Sequence, residues 1–471
     1  MKTKITLALL ICFAIASCTK WHYGHGHHDD DDPNDKIIYE DTRVDEGATS
    51  GKKNIVISPN EIIVKYEPDV SAPERAQIRS EFPIVNVQEC DCGDTNIELW
   101  VFDPDIEELE IEGVVDRLPS RNPRGKTRGE RSFDIQLAPV GPFKPLGQVL
   151  ADTVGIVGQA IFPSINIAVI DTGLDFQRYL FAETPKQFLF PNGYYSNCFD
   201  TGTGWNFTAD NNGDGTREGD ANFIDDNGHG TYITKIITDE LDNKGVTHRI
   251  LPLKVFDAGG KGSYWDVLCA LAYIKSINRF ADRGIIDIVN ASFGGAMPRE
   301  IFKEPAIGEP DNIFTEILDD LNKQGTLVIT SAGNDGVDND TGANGDFLSS
   351  FKSSNILSVG GYEYDTINPT ARPIKLHPLS NYGSDGSVDI ALAFNDYKIF
   401  FDTGDPLRIQ RVTLQGTSYA TAAMSAMAGT ILNSSGSTSP ENLKQLIFDL
   451  SIDAPELEGK IADRRVIPRA E

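Results

Sequence analysis

The chain has 471 residues, of which 40% are hydrophobic and 9% aromatic, a composition typical of a globular protein with a sizeable buried core. It contains 70 acidic residues against 42 Lys and Arg residues, so its formal net charge is −28. Such a negative surface repels phosphate backbones, which excludes nucleic acid as an expected partner.

The N-terminus has the features of an export signal. Two lysines precede the apolar run ITLALLICFAIA, which is too short to span a membrane comfortably. The ending IASC resembles the lipobox of bacterial lipoprotein signals, in which the cysteine is lipidated and becomes the mature N-terminus. We therefore predict that residues 1–18 are a lipoprotein signal peptide with lipidation at Cys18, and that the protein is exported to the cell envelope or cell surface. An ordinary cleaved signal is the alternative.

A polar segment, residues 19–53, follows the signal. Its stretch TKWHYGHGHHDDDDPND is low in complexity, and four histidines beside four aspartates could bind a transition metal. We favour a solvated tether between the membrane and the folded protein, because no fixed geometry is implied.

Four cysteines remain once Cys12 has been removed and Cys18 lipidated: Cys90, Cys92, Cys198 and Cys269. An exported chain can oxidise them, and four cysteines allow three full pairings that the sequence does not separate. The Cys-Asp-Cys stretch lacks the spacing of a zinc knuckle and is interpreted as structural or incidental.

Residues 54–120 show the order strand-helix-strand-strand-helix, with strand patterns in EIIVKY, IVNVQE and IELWVF and helical patterns in APERAQIRSEF and DIEELEIEGVVDRL. This order predicts a small open-faced α+β domain. The basic segment RNPRGKTRGER comes next, and residues 121–150 are predicted to be an exposed linker open to proteolytic processing.

Residues 151–471 alternate continuous apolar strands, among them INIAVID, ILPLKVF, TLVITSA and NILSVGG, with amphipathic helices such as IFTEILDDLNKQG. Such alternation predicts an α/β fold with a doubly wound, mostly parallel sheet. Its functional residues are expected at the carboxyl ends of the strands.

Four polar residues occupy such places: Asp171 ends INIAVID, His229 begins a helix in DDNGHGTYITKII, Asn334 follows TLVITSAG, and Ser418 begins a small-residue helix in LQGTSYATAAM. A serine hydroxyl becomes a nucleophile when a base such as histidine takes its proton. A buried carboxylate can hold that imidazole in the right tautomer, and an amide can stabilise a developing oxyanion.

These four segments resemble the motifs of the subtilisin-like serine peptidases, the subtilases. AVIDTGLD resembles the aspartate motif, DDNGHGTY the histidine motif, SAGN the oxyanion motif and LQGTSYAT the serine motif, in the family's chain order. The resemblance implies a three-layer subtilisin-like fold and a serine endopeptidase that forms an acyl-enzyme. It makes Asp171 the orienting acid, His229 the general base and acid, Ser418 the nucleophile, and Asn334 the oxyanion donor.

The resemblance extends to partners. It implies that an extended peptide or protein substrate pairs as an added strand with two edges, formed by Gly260 and Gly262 and by Ser292, Phe293 and Gly294. Residues 54–120 would be a propeptide that inhibits the enzyme until the zymogen is processed.

Calcium is the expected structural cofactor, and no cofactor is required for the chemistry. Asp210, Asn212 and Asp214 hold the first, third and fifth places of a calcium-loop pattern, but its twelfth place is Ala221 instead of glutamate. A merely solvated acidic loop is the alternative.

Two rival functions fit the sequence less well. A catalytically silent subtilase-fold lipoprotein that binds peptides or proteins would have no use for the four catalytic positions. A serine esterase would require a Gly-x-Ser-x-Gly elbow, and the chain has GTSYA. The chain departs from the family pattern at Tyr232, Lys235 and Ala422, and the cation of Lys235 is expected to lower the pKa of the His229 imidazole.

Overall fold

The computed structural model describes residues 38–45, 56–90, 96–121, 127–137, 165–175, 204–208, 219–279, 285–302, 312–365, 373–402, 408–436 and 438–469. Residues 1–37, which include Cys18, lie outside these ranges. Within the described part of the chain, no helix combines the length and apolar character needed to cross a bilayer.

A nine-stranded sheet forms the centre of the larger domain, in the order β18-β19-β15-β14-β12-β10-β6-β8-β7. Every neighbouring pair is parallel except β18 with β19. The strands are β6 (Ile165–Asp171), β7 (Trp205–Asn206), β8 (His248–Lys254), β10 (Ile288–Ala291), β12 (Leu327–Ser331), β14 (Ile356–Tyr362), β15 (Ile390–Ala393), β18 (Ile452–Asp453) and β19 (Arg465–Val466).

Helices cover both faces of this sheet. They are α3 (His229–Asn243), α4 (Tyr264–Asn278), α5 (Ile313–Lys323), α6 (Thr417–Ser435) and α7 (Pro440–Phe448). Alternate side chains of β6 enter different cores: Ile167 and Val169 pack with α3 and α6, whereas Ala168 and Ile170 pack with α4 and α5. Because a strand buried on both faces must be apolar throughout, INIAVID lacks polar alternation. The predicted three-layer, doubly wound parallel fold is confirmed.

A smaller α+β domain precedes this one. It contains β2 (Val56–Tyr66), α1 (Ala72–Arg79), β3 (Ile84–Glu89), β4 (Ile97–Phe102) and α2 (Glu108–Arg121), in the predicted element order. In β2, Ile62, Val64 and Tyr66 pack with the two helices, while Ile63 belongs to a core shared with α4 and α5 of the larger domain. Side chains on one face of β2 therefore pack inside the small domain, and those on the other face pack against the larger domain.

A further strand, β5 (Thr127–Gln136), lies within the range for which the sequence analysis predicted an exposed linker. It pairs with β2 on one side and with β9 (Lys261–Ser263) on the other, both antiparallel. Phe133 and Ile135 are buried in the shared core. The alternation of apolar residues in RSFDIQL is the sequence signal for this strand, and the basic residues before it masked that signal.

The predicted tether also contains a strand, β1 (Ile38–Asp45), which runs parallel to β17 (Arg408–Gln415). β17 pairs in turn with β16 (Tyr397–Asp402). Arg411 makes a two-pronged ion pair with Asp41, at 2.7 and 2.8 Å, and Val44 is buried in the core beside α6. The end of the segment is therefore part of the fold.

The short elements complete the list: β11 (Ala296–Pro298) pairs with β13 (Asn344–Asp346), and 3-10 helices span Arg299–Phe302, Pro455–Leu457 and Ala462–Arg464. A disulfide joins Cys90 to Cys269, which settles for these two residues the pairing that the sequence left open. Cys92 and Cys198 lie outside the described residues.

Candidate active site

Asp171 and His229 meet in the interior of the larger domain. Asp171 is the last residue of β6, and His229 is the first residue of α3. The imidazole Nδ1 lies 2.8 and 2.9 Å from the two carboxylate oxygens, and both side chains are almost fully buried. This contact fixes the ring so that Nε2 is directed away from the carboxylate, which is the orientation a general base requires.

Glycine after His229 is required by this packing. A Cβ at Gly230 would lie 2.3 Å from the carbonyl oxygen of Gly173 and 3.2 Å from the Cβ of Asp171. The turn after β6 and the start of α3 therefore touch backbone to backbone, which draws His229 against Asp171.

Asp225 holds the start of α3 and was not assigned a role from the sequence. Its Oδ1 accepts hydrogen bonds from the backbone N–H groups of Asn227 and Gly228, and its Oδ2 accepts from the N–H and hydroxyl of Thr231. A carboxylate at a helix N-terminus satisfies unpaired N–H groups and complements the helix dipole. An aspartate a few residues before a helical pattern is the signal that could have found it.

Lys254 is a second residue that sequence reasoning missed. Its buried Nζ donates a 2.8 Å hydrogen bond to the carbonyl oxygen of Thr172, the residue after Asp171. Burial lowers the pKa of this amine, and the carboxylates of Asp225, Asp226, Asp257 and Asp171 oppose that shift. Lys254 thus anchors the turn that carries Asp171 and supplies a compensating positive charge.

Ser418 and Asn334 are brought together through Thr417. Both the N–H and the hydroxyl of Thr417 donate 2.9 Å hydrogen bonds to Asn334 Oδ1. The amide oxygen is thereby directed at Thr417, so the amide nitrogen points the other way, as an oxyanion donor must. Ser418 is the second residue of α6, where backbone N–H groups at the helix start favour incoming negative charge.

Two further contacts connect the Asp171–His229 pair with the segment that contains Ser418. The ring of Tyr419, the residue after Ser418, lies 5.9 Å from the His229 ring between centroids. Ser292 Oγ lies 3.0 Å from the carbonyl oxygen of Ser418. The structure therefore gathers the predicted aspartate, histidine, serine and asparagine segments, and one predicted substrate edge, at the carboxyl side of the central sheet.

The other predicted substrate edge is already paired. Asp134, Ile135 and Gln136 of β5 lie opposite Ser263, Gly262 and Lys261, and the Leu137 N–H donates a 2.9 Å hydrogen bond to the carbonyl oxygen of Gly260. The protein's own chain thus occupies this edge as an added strand.

Close packing inside the protein explains why glycine occupies two positions of these edges. A Cβ at Gly262 would lie 2.3 Å from the carbonyl oxygen of Val255, and one at Gly294 would lie 2.1 Å from Asp346 Oδ1. Phe293, between them in the fold, is buried against Phe256 with ring centroids 5.0 Å apart. A side chain at either glycine would overlap these neighbouring atoms and displace the edge from the core.

Residues 163–465 match the family model of the subtilase family, peptidase S8. The chain belongs to the subtilase family. The cell wall-associated protease of Bacillus subtilis (strain 168) is 28% identical over 237 residues, which are 49% of this chain and 21% of that protein. Subtilisin-like protease 2 of Trichophyton equinum is 24% identical over 245 residues, 52% of this chain and 50% of that protein. The alignments span half or less of these curated relatives.

Among solved structures, the epidermin leader peptide processing serine protease of Staphylococcus aureus is 12% identical, with a TM-score of 0.54. The likeness covers 88% of this chain and 98% of that chain. Because 88% is more than the part of the chain that follows residue 163, the shared fold includes residues before the family match.

The positions at which this subtilase departs from the family pattern are structural. Tyr232 is buried, with its ring 6.0 Å from that of Phe401, and Ala422 is fully buried in the core beside α6. Lys235 forms an ion pair with Asp239, one turn further along α3 and away from His229. The effect of the Lys235 charge on the pKa of the imidazole stays a prediction.

The expected calcium residues Asp210, Asn212 and Asp214 lie outside the described part of the chain. Among the residues that are described, no group of three or more His, Cys, Asp or Glu side chains is arranged to hold a metal. The acidic loop after Asn334 is instead bound by a protein cation. The Arg299 guanidinium donates to the carbonyl oxygens of Asn339, Thr341, Gly342 and Asn344.

Proposed function

We propose that this subtilase is an exported serine endopeptidase made as a zymogen and held at the membrane by a lipid on Cys18. The observation that carries the catalytic part is the buried contact of His229 Nδ1 with both oxygens of Asp171, at 2.8 and 2.9 Å. A histidine so oriented beside a serine at a helix N-terminus suits acyl transfer.

In the proposed reaction, His229 Nε2 takes the proton of the Ser418 hydroxyl as its oxygen attacks the scissile carbonyl. Asp171 stabilises the imidazolium that forms, and remains ionised. The Asn334 amide nitrogen and the Ser418 N–H stabilise the oxyanion, because both donors are in place before charge develops. His229 then gives its proton to the leaving amine, and water hydrolyses the acyl-enzyme by the same steps.

The zymogen part is supported by the pairing of β5 with β9. An extended strand bound to a substrate edge by backbone hydrogen bonds competes with a substrate that would bind in the same way. Residues 54–137 would then act as the inhibitory propeptide, and processing would cut the chain after β5. A structural calcium ion remains proposed for the loop with Asp210, Asn212 and Asp214, whose oxygen-bearing side chains are the kind calcium prefers.

A fluorophosphonate probe tests the catalytic part, because it reacts with an activated serine. We expect stoichiometric labelling of the wild type once the N-terminal domain has been cleaved off and removed under reducing conditions, and none of Ser418→Ala. Ser434→Ala is the matched control, since Ser434 is exposed near the other end of the same helix. A folded, processed wild type that is not labelled would favour a catalytically silent peptide-binding protein.

A further inference from the structure

The disulfide joins the two domains of the protein. Cys90 directly follows β3 of the small domain, and Cys269 lies in the middle of α4 of the larger domain, 179 residues further along the chain. Both cysteines are buried, and both belong to the core that the two domains share. The bond therefore crosses the docking interface instead of stabilising either domain internally.

Noncovalent contacts surround the bridge. The ring of Phe133 lies 5.8 Å from that of Tyr264, and the Glu130 carboxylate accepts a 2.9 Å hydrogen bond from Ile313 N–H at the start of α5. Lys65 and Arg128 of the small domain both form ion pairs with Glu316 of α5. These contacts can open and close without a chemical reaction, whereas the disulfide opens only when it is reduced.

A cut after β5 would divide the chain into two fragments. The N-terminal fragment would contain Cys18, β1 and Cys90, and the C-terminal fragment would contain Cys269 and the four predicted catalytic residues. In a protein held only by noncovalent contacts, the inhibitor and the anchor would leave together. Here one covalent bond still connects the fragments.

We propose that the Cys90–Cys269 disulfide keeps the N-terminal domain covalently attached to the catalytic domain after processing, so that full activity and release from the anchor require reduction. The effects of reduction on activity and on release from the anchor rest on the proposed function. The bridge itself and its persistence after a cut are independent of catalysis.

The Cys90–Cys269 bridge forms and breaks by thiol–disulfide exchange. The two cysteine thiols give up two electrons and two protons to a disulfide-bearing oxidant, which becomes a dithiol as the Sγ–Sγ bond forms. In release, one thiolate of a dithiol reductant attacks a bridge sulfur and forms a mixed disulfide. Its second thiolate then displaces the cysteine, which leaves both cysteines as thiols and the reductant as a disulfide. Burial of the bridge slows this attack until the interface opens.

The first test uses the full chain with Ser418→Ala, so that no self-processing occurs, and a site-specific protease sequence inserted after Leu137. After cleavage and alkylation of free thiols, denaturing electrophoresis without reductant should show one species of the uncut mass, and with reductant two fragments. Two fragments without reductant would overturn the proposal. Because the cut is made by an added protease, a failure of the proposed catalytic function leaves this result unaffected.

The variants separate this bridge from other pairings. Because Cys92 and Cys198 also lie on opposite sides of the cut, every cysteine variant is made in a Cys92→Ser background, which should itself behave like the parent. In that background, Cys90→Ser and Cys269→Ser should each release the fragments without reductant. Should a variant fail to fold, disulfide mapping of the parent by peptide mass spectrometry decides the same question, since it must yield the Cys90–Cys269 peptide pair. Fragment retention by Cys90→Ser would contradict the assignment.

An activity arm tests the regulatory consequence. In the cut wild type, a dithiol should raise fluorophosphonate labelling by about tenfold or more, whereas cut Cys90→Ser should label at the same rate with and without it. Equal labelling of the cut wild type before and after reduction, with the fragments shown to separate, would refute control by the bridge. No labelling in either state would instead contradict the proposed peptidase activity.

Discussion

Asn334 is held through its amide oxygen. Both donors of Thr417 bind Oδ1, and Thr417 immediately precedes Ser418, so one residue positions both the Asn334 amide and the proposed nucleophile. This arrangement suits the oxyanion role proposed for the amide N–H.

We therefore expect Asn334→Ala to lower kcat by roughly 100- to 1000-fold with little change in KM, as found for the equivalent type of donor in the related subtilisin. Asn334→Asp is the matched control for size, and because it offers no N–H it should lose a similar factor. The measurement is steady-state kinetics on a short peptide substrate with the processed enzyme. A kcat within threefold of wild type in Asn334→Ala would show that the side chain does not bind the oxyanion.

The four proposed catalytic residues could be selected from the sequence because short motifs fix their neighbours along the chain. Asp225 has a weak local signal, since it lies shortly before a helical pattern, whereas nothing in the stretch around Lys254 shows that it binds the carbonyl oxygen of Thr172. The Lys254 contact joins residues 82 positions apart, and the sequence around one of them records nothing of the other.

The loop that follows Asn334 is an element organised around one cation. Arg299 donates to four of its carbonyl oxygens, in the way that a bound metal would gather them. Because one guanidinium satisfies four carbonyl oxygens of the loop, we infer that the loop depends on it for its shape.

Replacing Arg299 should lower the stability of the folded protein. We expect Arg299→Met to lower the free energy of unfolding by about 2 kcal/mol and Tm by a few degrees, because charge-assisted hydrogen bonds are lost while the aliphatic stem is kept. The control is Arg279→Met, since Arg279 is exposed at the end of α4. Thermal unfolding of both in the Ser418→Ala background measures the difference, and equal Tm values would show that the loop holds its shape unaided.

The core strands and helices could be predicted from local pattern, and β6 was read from INIAVID alone. β1 could not, because its only strand partner among the described residues, β17, lies more than three hundred residues away, and β5 was obscured because basic residues precede its alternating stretch RSFDIQL. A basic, glycine-rich stretch resembles a linker until its long-range partner is known.

Glu130 lies where the two domains meet, and we predict that it makes their docking depend on pH. Its Oε1 accepts the Ile313 N–H, but its Oε2 is buried with no hydrogen-bond partner among the described residues. Burial raises the pKa of this carboxyl from 4.5 to about 7, with Arg128 and Lys65 opposing the shift and Glu316 adding to it. Because the docked state binds the proton more tightly, docking is favoured at low pH and weakens as pH rises through about 7.

Hydrogen exchange at the β5–β9 pairing measures this opening in the full-length Ser418→Ala chain, after correction for intrinsic exchange rates. From about pH 5 to about pH 8 we expect the opening constant to rise on the order of 50- to 100-fold in the parent. Glu130→Gln keeps an acceptor oxygen but does not titrate, so its profile should be flat. Glu110→Gln, at an exposed position of α2, should follow the parent, and an equally steep profile in Glu130→Gln would assign the pH dependence to another group.

The parallel pairing of β1 with β17 has a mechanical consequence. Eight residues of β1 lie beside eight of β17, and β17 leads directly into the helix that carries Ser418. Tension applied at the N-terminus of the chain runs along β1, so it loads the backbone hydrogen bonds side by side in shear instead of opening them one after another. A pull on the N-terminal end of β1 would therefore be transmitted to the strand that leads into the helix of Ser418.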